Sequence, residues 1–149
     1  MNIDALLRNA LLISLGLWLL YMLVGGLTTR VGGAWRDGER LINLRQFGPL
    51  VSGDALRDGG WERYSGTAVW GRLRLRRSDG GLQHLQSLGF AAEVAPLLEN
   101  QVMASFDLRL RNGKLNGTFQ GRVIRSERRP ARIVSIHSTA PKERLWVRA

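Results

Sequence analysis

The sequence predicts a mainly β protein with one N-terminal transmembrane helix, its soluble part an antiparallel sheet or partial β-barrel of about six strands with a short helical insert. Three observations predict this. Residues 10–27 form an uncharged run of 18 residues. Beyond it, several stretches alternate apolar and polar side chains with period two, the mark of half-buried strands. Asn112-Gly113 separates two of those stretches and suits a two-residue hairpin turn, in which both central residues take positive φ.

The apolar run, ALLISLGLWLLYMLVGGL, would reach about 27 Å as a helix, close to the thickness of a bilayer's hydrocarbon core. It exceeds the usual h-region of a signal peptide, and Asp4 stands beside Arg8 in the segment before it, so an uncleaved anchor is expected. Residues 1–9 then form a short tail. Residues 28–46 read as a juxtamembrane linker with Gly32, Gly33 and Gly38, and the β-rich domain spans 47–149. Within the linker, Arg30, Trp35 and Arg36 suit a membrane interface: an indole at headgroup depth with cations for anionic lipid. Arg30, Arg36, Arg40 and Arg45 follow the helix, against Arg8 and the α-amino group before it. The excess favours a cytoplasmic domain.

Gly48-Pro49 and Asp58-Gly59-Gly60 mark turns around a short strand. Trp61 to Arg77 reads as one long strand, with Val69, Gly71, Leu73 and Leu75 on one face and Trp70, Arg72, Arg74 and Arg76 on the other. Leu82, Leu85 and Leu88 recur every third residue before Gly89, which predicts a short helix with Asp79 as a candidate cap; Pro96 breaks its continuation. The Asn112-Gly113 turn sets a register: Leu110 opposite Leu115, Leu108 opposite Gly117, Phe106 opposite Phe119, Ala104 opposite Gly121 and Val102 opposite Val123 form the core face. Met103, Ser105, Asp107 and Arg109 fall on the solvent face. Arg125–Arg129 reads as a charged break, Arg132–Ser138 as a further strand, and Leu145-Trp146-Val147 as a terminal strand at an edge.

Composition narrows the function. The chain has 149 residues, 22 Lys and Arg against 12 Asp and Glu, a net charge of +10 and no cysteine, which excludes disulfides, thiolate metal sites and a cysteine nucleophile. No phosphate-binding glycine loop, nucleophile elbow or local His pair occurs. His84 reads as solvated on its short helix. Glu62, Asp54 and Asp58 read as turn and surface groups, and neither a metal nor a cofactor is expected. The basic residues carry the functional signal. Trp70, Arg72, Arg74 and Arg76 form a candidate partner-binding face, since arginine forks onto carboxylate and phosphate and Trp with Arg anchors interfaces. The expected role is non-enzymatic: an accessory or assembly subunit that meets anionic lipid headgroups and a membrane-protein partner. Nucleic acid is disfavoured by the lack of a stacking aromatic series, and no small-molecule substrate is indicated. The alternative is a barrel holding a lipid or other anionic amphiphile, suggested by small residues (Gly71, Ala104, Gly117 and Gly121) on the expected inner faces.

Overall fold

The computed structural model describes residues 3–99 and 101–149. The chain runs α1 (Ile3–Thr28), β1 (Gly33–Asp37), β2 (Arg40–Phe47), β3 (Leu50–Arg57), β4 (Gly60–Val69), β5 (Arg72–Gly80), α2 (Leu82–Ser87), α3 (Ala95–Leu98), β6 (Val102–Arg111), β7 (Lys114–Arg128), β8 (Ala131–Ser138) and β9 (Lys142–Arg148). Strands β1 to β6 follow one another as an antiparallel meander, β7 pairs with β6 and β9, and β9 pairs back onto β1. Eight strands therefore close a barrel, which leaves no open edge in its wall. The ninth, β8, pairs with the second half of β7 outside the barrel, forming a two-stranded arm.

The barrel is filled. Every second residue points inward, and Trp35, Ile42, Tyr64, Leu73, Leu75, Phe106, Leu108, Leu115 and Trp146 are buried. Phe106 is the hub: its ring centroid lies 5.1 Å from that of Trp146, 5.2 Å from Phe119 and 5.9 Å from Tyr64. Such tilted and edge-on contacts suit aromatic quadrupoles. Gly117 is on the inner face, but a side chain there would collide with the backbone of Asp107 and Leu108. It serves strand approach rather than cavity space. Gly71 lies in a turn, not on a wall. A second apolar cluster joins Leu85, Val94, Ala95 and Leu98 of the helical insert to Met103 and Ile124, and so packs the insert against the base of the arm.

Several expectations are corrected. The linker 28–46 contains β1 and β2, both full members of the barrel. Asp37-Gly38 turns the chain between them; β1 has only five residues, and in β2 the outward Leu41 beside the inward Ile42 blurs the alternation. Trp35 is fully buried, its indole donating to the Val31 carbonyl at 2.7 Å, so it does not sit among headgroups. The expected strand Trp61–Arg77 is two strands, β4 and β5, folded at Trp70-Gly71, where φ is 51° and 74°. The helix reaches back to Ile3, so most of the expected tail is helical, while residues 1 and 2 lie outside the described residues. The strand Leu145–Val147 is no edge but the closing stave between β1 and β7. The hairpin register holds from Arg111↔Lys114 to Ala104↔Gly121. It stops short of Val102 and Val123 because β7 turns away to pair with β8, running through the expected break to Arg128. Met103, expected at the surface, is buried under the insert.

The helix is fastened to the barrel. Gly25 lies so close to the β4–β5 turn that a side chain would meet Val69 Cγ1 at 2.5 Å and Trp70 Nε1 at 2.7 Å, and Gly26 lies equally close to the Gly48-Pro49 backbone. The Trp70 amide donates to the Gly25 carbonyl at 3.2 Å. Thr29 Oγ1 donates to the same carbonyl and accepts from the Gly71 amide at 2.7 Å. Gln46 completes the junction. Its Nε2 lies 3.0, 2.6 and 2.8 Å from the carbonyls of Gly26, Thr29 and Gly48, and its Oε1 accepts from the Val31 amide at 2.8 Å. These bonds satisfy carbonyls that the end of a helix otherwise leaves unpaired.

Candidate functional site

On the outer wall, antiparallel register sets side chains of four neighbouring strands in transverse rows. Ser65, Arg76, Ser105 and Gln120 form one row; Thr67, Arg74, Asp107 and Thr118 form the next. The rows floor an open groove of about 630 Å³, which Pro141 also lines. Short hydroxyl side chains keep the floor low, and Arg74 and Arg76 stand above it. A third row, Val69, Arg72, Arg109 and Asn116, leads toward the helix. There a smaller hollow is bounded by Tyr21 and Met22 of α1, Trp70, Arg72, Arg74 and Arg109. Thr67 and Arg74 belong to both recesses, so one basic track runs from the helix along the barrel.

The expected partner-binding residues are therefore brought together in part. Arg72, Arg74 and Arg76 share the outer face of β5. Trp70 stands apart at the turn, half exposed, its ring 5.2 Å from that of Tyr21. Arg72 forks onto Asp107, with Nε 2.7 Å from Oδ1, and this pairing holds the Asp107 carboxyl below its usual range. Arg74 reaches the edge of the same carboxylate at 3.7 Å. Among the described residues, Arg76 and Arg109 have no carboxylate within ion-pair distance. Ser65 and Thr67 were not singled out from the sequence. Their signal, alternation opposite the arginines, was hidden by reading β4 and β5 as one strand.

Of the expected interface residues, Arg30 lies exposed directly after the helix. Arg36 sits near the β1–β2 turn at the opposite end of the barrel, about 20 Å of extended chain beyond Arg30, so it is not level with the helix end.

The end of the barrel away from α1 holds a second polar constellation. Glu62, Tyr64, Arg77 and Asp79 point inward from β4 and β5, and α2 covers them, with His84 buried beneath it. Arg77 Nε is 2.8 Å from Asp79 Oδ1, and Arg57 Nε 3.1 Å from Glu62 Oε1. The Tyr64 hydroxyl donates to Glu62 Oε2 at 2.8 Å. Burial alone would raise the Glu62 pKa, but Arg77, the Tyr64 hydroxyl and Arg57 more than reverse it, and the carboxyl sits below its ordinary value. Burial pushes Asp79 and Tyr64 upward, the neighbouring Glu62 charge adding to both shifts. The sequence reading of Glu62 and His84 as surface groups is thus corrected, and Arg77 extends inward, away from the basic face of Arg72, Arg74 and Arg76.

Donor atoms of Glu62, Asp79 and His84 lie within 4.8 Å of one another. The guanidiniums of Arg40, Arg57 and Arg77 already lie within ion-pair distance of the two carboxylates, so a cation would meet no net negative charge. The arrangement is an internal ion network that fills the barrel end.

Beside it, a cavity of about 620 Å³ opens between the insert and the arm, lined by Leu88, Phe90, Met103, Phe119 and Ile124 with Arg122 and Lys142.

No protein-family model, curated protein or solved structure matches this chain.

Proposed function

We propose that the protein is a single-pass membrane protein whose basic barrel acts as a non-enzymatic binding module, an accessory or assembly subunit that holds an acidic segment of a membrane-protein partner. One observation carries the reading: the basic track that begins where Tyr21 of the helix meets Trp70 of the β4–β5 turn and continues over Arg72, Arg74 and Arg76 into the hydroxyl-floored groove. A partner emerging from the same bilayer beside α1 would enter this track without leaving the surface. The arginines supply bidentate recognition of carboxylates, and the serine, threonine and glutamine side chains supply neutral hydrogen bonds. The ion network is compatible with a binding role, its buried carboxylates Glu62 and Asp79 being neutralised by neighbouring arginines.

A photocrosslinking residue at Gln120, in cells, tests this. The expected result is a discrete adduct with one membrane protein, lost in Arg74→Glu/Arg76→Glu and kept in Arg36→Glu. An adduct indifferent to the groove charges refutes the assignment. The arginines around the helix end favour a cytoplasmic barrel. In this cysteine-free chain Leu56→Cys should then resist an impermeant maleimide in intact cells and react after lysis; labelling in intact cells reverses the orientation.

A second reading, an anionic amphiphile as ligand, is favoured by the cavity beside the arm, where apolar walls meet Arg122 and Lys142. Native mass spectrometry of the purified chain would show a retained acyl-chain adduct that Arg122→Glu/Lys142→Glu loses; a bare mass removes this reading.

A further inference from the structure

We propose that the barrel is seated in the bilayer interface, the tips of its β2–β3 and β4–β5 hairpins dipping among the headgroups of an anionic leaflet as a second anchor beside α1. The inference rests on the reading of α1 as a membrane span.

The geometry follows from the junction. Tyr21, Gly25 and Gly26 belong to the uncharged run, yet Trp70 lies against Tyr21 and Gly25, and Pro49 against Gly26. Leu27, the end of the run, lies six residues beyond Tyr21, about 9 Å along the helix. Hairpin tips bonded to that stretch share its depth. If the helix crosses a membrane along its uncharged run, the tips cannot remain in bulk water.

The tips have the side chains such a depth selects. Phe47 is 85% exposed and Leu50 60% exposed, flanking the Gly48-Pro49 turn, while Trp70 presents half of its indole. Trp and Tyr prefer the headgroup layer, and here Tyr21 and Trp70 form a pair at that level. Cations surround them. Arg30 follows the helix, Arg45 precedes Phe47, and Arg109, Arg111 and Lys114 flank the neighbouring β6–β7 turn. No Asp or Glu occurs in residues 45–52, 67–74 or 108–115, the three hairpin tips at this end. At the other end the exposed acids Glu39, Asp58, Glu93 and Glu99 stand among the exposed arginines of the arm, Arg122, Arg125, Arg128, Arg129 and Arg132. A leaflet bearing negative charge would therefore attract the helix-proximal tips, and the bonded junction with α1, rather than charge alone, selects that end.

The absence of cysteine allows a clean test on the full chain. Single-cysteine variants Ile13→Cys, Phe47→Cys, Leu50→Cys and Leu56→Cys would carry an environment-sensitive fluorophore. The protein would be reconstituted in vesicles of phosphatidylcholine and phosphatidylglycerol containing lipids spin-labelled near the headgroup or along the acyl chain. Leu56 is the matched control, 85% exposed like Phe47 but near the far end of β3, about 20 Å from Leu50. The expected result is strong quenching at position 13 by chain-labelled lipid and several-fold greater quenching at 47 and 50 than at 56 by headgroup-labelled lipid. Quenching at 13 with positions 47, 50 and 56 alike overturns the second anchor and leaves the membrane span standing. No quenching at 13 overturns the span itself, and the inference with it.

Discussion

Gln46 stitches the helix to the barrel, and its replacement yields a prediction with a sign as well as a size. Its carboxamide has two N–H groups facing three carbonyls and one oxygen accepting the Val31 amide, so it supplies about three hydrogen bonds. At about 0.5–1.5 kcal/mol each, with water able to replace some at this half-buried site, Gln46→Ala should cost about 2–3 kcal/mol. For a chain of this size that lowers the melting temperature by roughly 5–10 °C. Gln46→Glu is the sharper perturbation. It keeps the shape and the acceptor, but directs a carboxylate at three carbonyl oxygens. It should therefore be at least as damaging as alanine at neutral pH. Tryptophan fluorescence during heating of the detergent-solubilised full chain reads both variants. If Gln46→Glu melts with the unmodified protein, the side chain acts by packing alone and the hydrogen-bonded junction is refuted.

Three further outcomes follow from the same structure. Phe106→Ala removes the ring that joins Tyr64, Phe119 and Trp146 and should cost about 3–5 kcal/mol in urea unfolding, whereas a loss below about 1 kcal/mol would mean the barrel centre is loosely packed. Glu62 has a folded-state pKa below its unfolded one, so its contribution is fully present above the unfolded value of about 4.3 and drains away as pH falls through the folded value. Glu62→Gln should therefore lower stability at neutral pH and flatten its decline below about pH 4; an unchanged acid limb refutes the assignment. Asp107→Asn frees Arg72 and Arg74 at an exposed position, so melting should barely move while crosslinking of the proposed acidic partner from Gln120 strengthens; a weakened crosslink would show that Asp107 itself contacts that partner.

What could be read in advance depended on how each turn is encoded. Asn112-Gly113 names its own geometry, and the register from Arg111↔Lys114 through Phe106↔Phe119 followed directly. Trp70-Gly71 makes a turn with positive φ at both positions, but a tryptophan there is not a turn signal, so two strands merged into one. Asp37-Gly38 is a turn signal, yet β1 was masked by its five-residue length and neighbouring glycines, and β2 by the outward Leu41 beside the inward Ile42. That concealed β1 and β2 and turned a buried tryptophan into an apparent membrane anchor. The basic face on β5 was legible because alternation alone assigns it. The ion network was not, because Glu62, Arg77, Asp79 and His84 resemble surface residues until the closed wall and the covering helix α2 are known.

The conformation of Trp70 bears on whether α1 is an anchor or a removable leader. A tryptophan at φ 51° holds a region that costs side-chain-bearing residues about 1–2 kcal/mol. Here the surroundings that over-determine it come from the helix: the Gly25 carbonyl accepts its amide, the missing Gly25 side chain leaves room for its indole, and Tyr21 covers the ring. Thr29 and Gln46 likewise spend their hydrogen bonds on helix carbonyls. Cleavage near Gly26 would strip these groups of their partners and leave a strained, exposed tryptophan at a hairpin tip. A leader destined for removal has no need of such fitting. The junction favours the proposal of a helix that stays, and on that proposal a barrel held so closely to its helix would keep the groove that begins at Trp70 at one fixed height and angle to a bilayer.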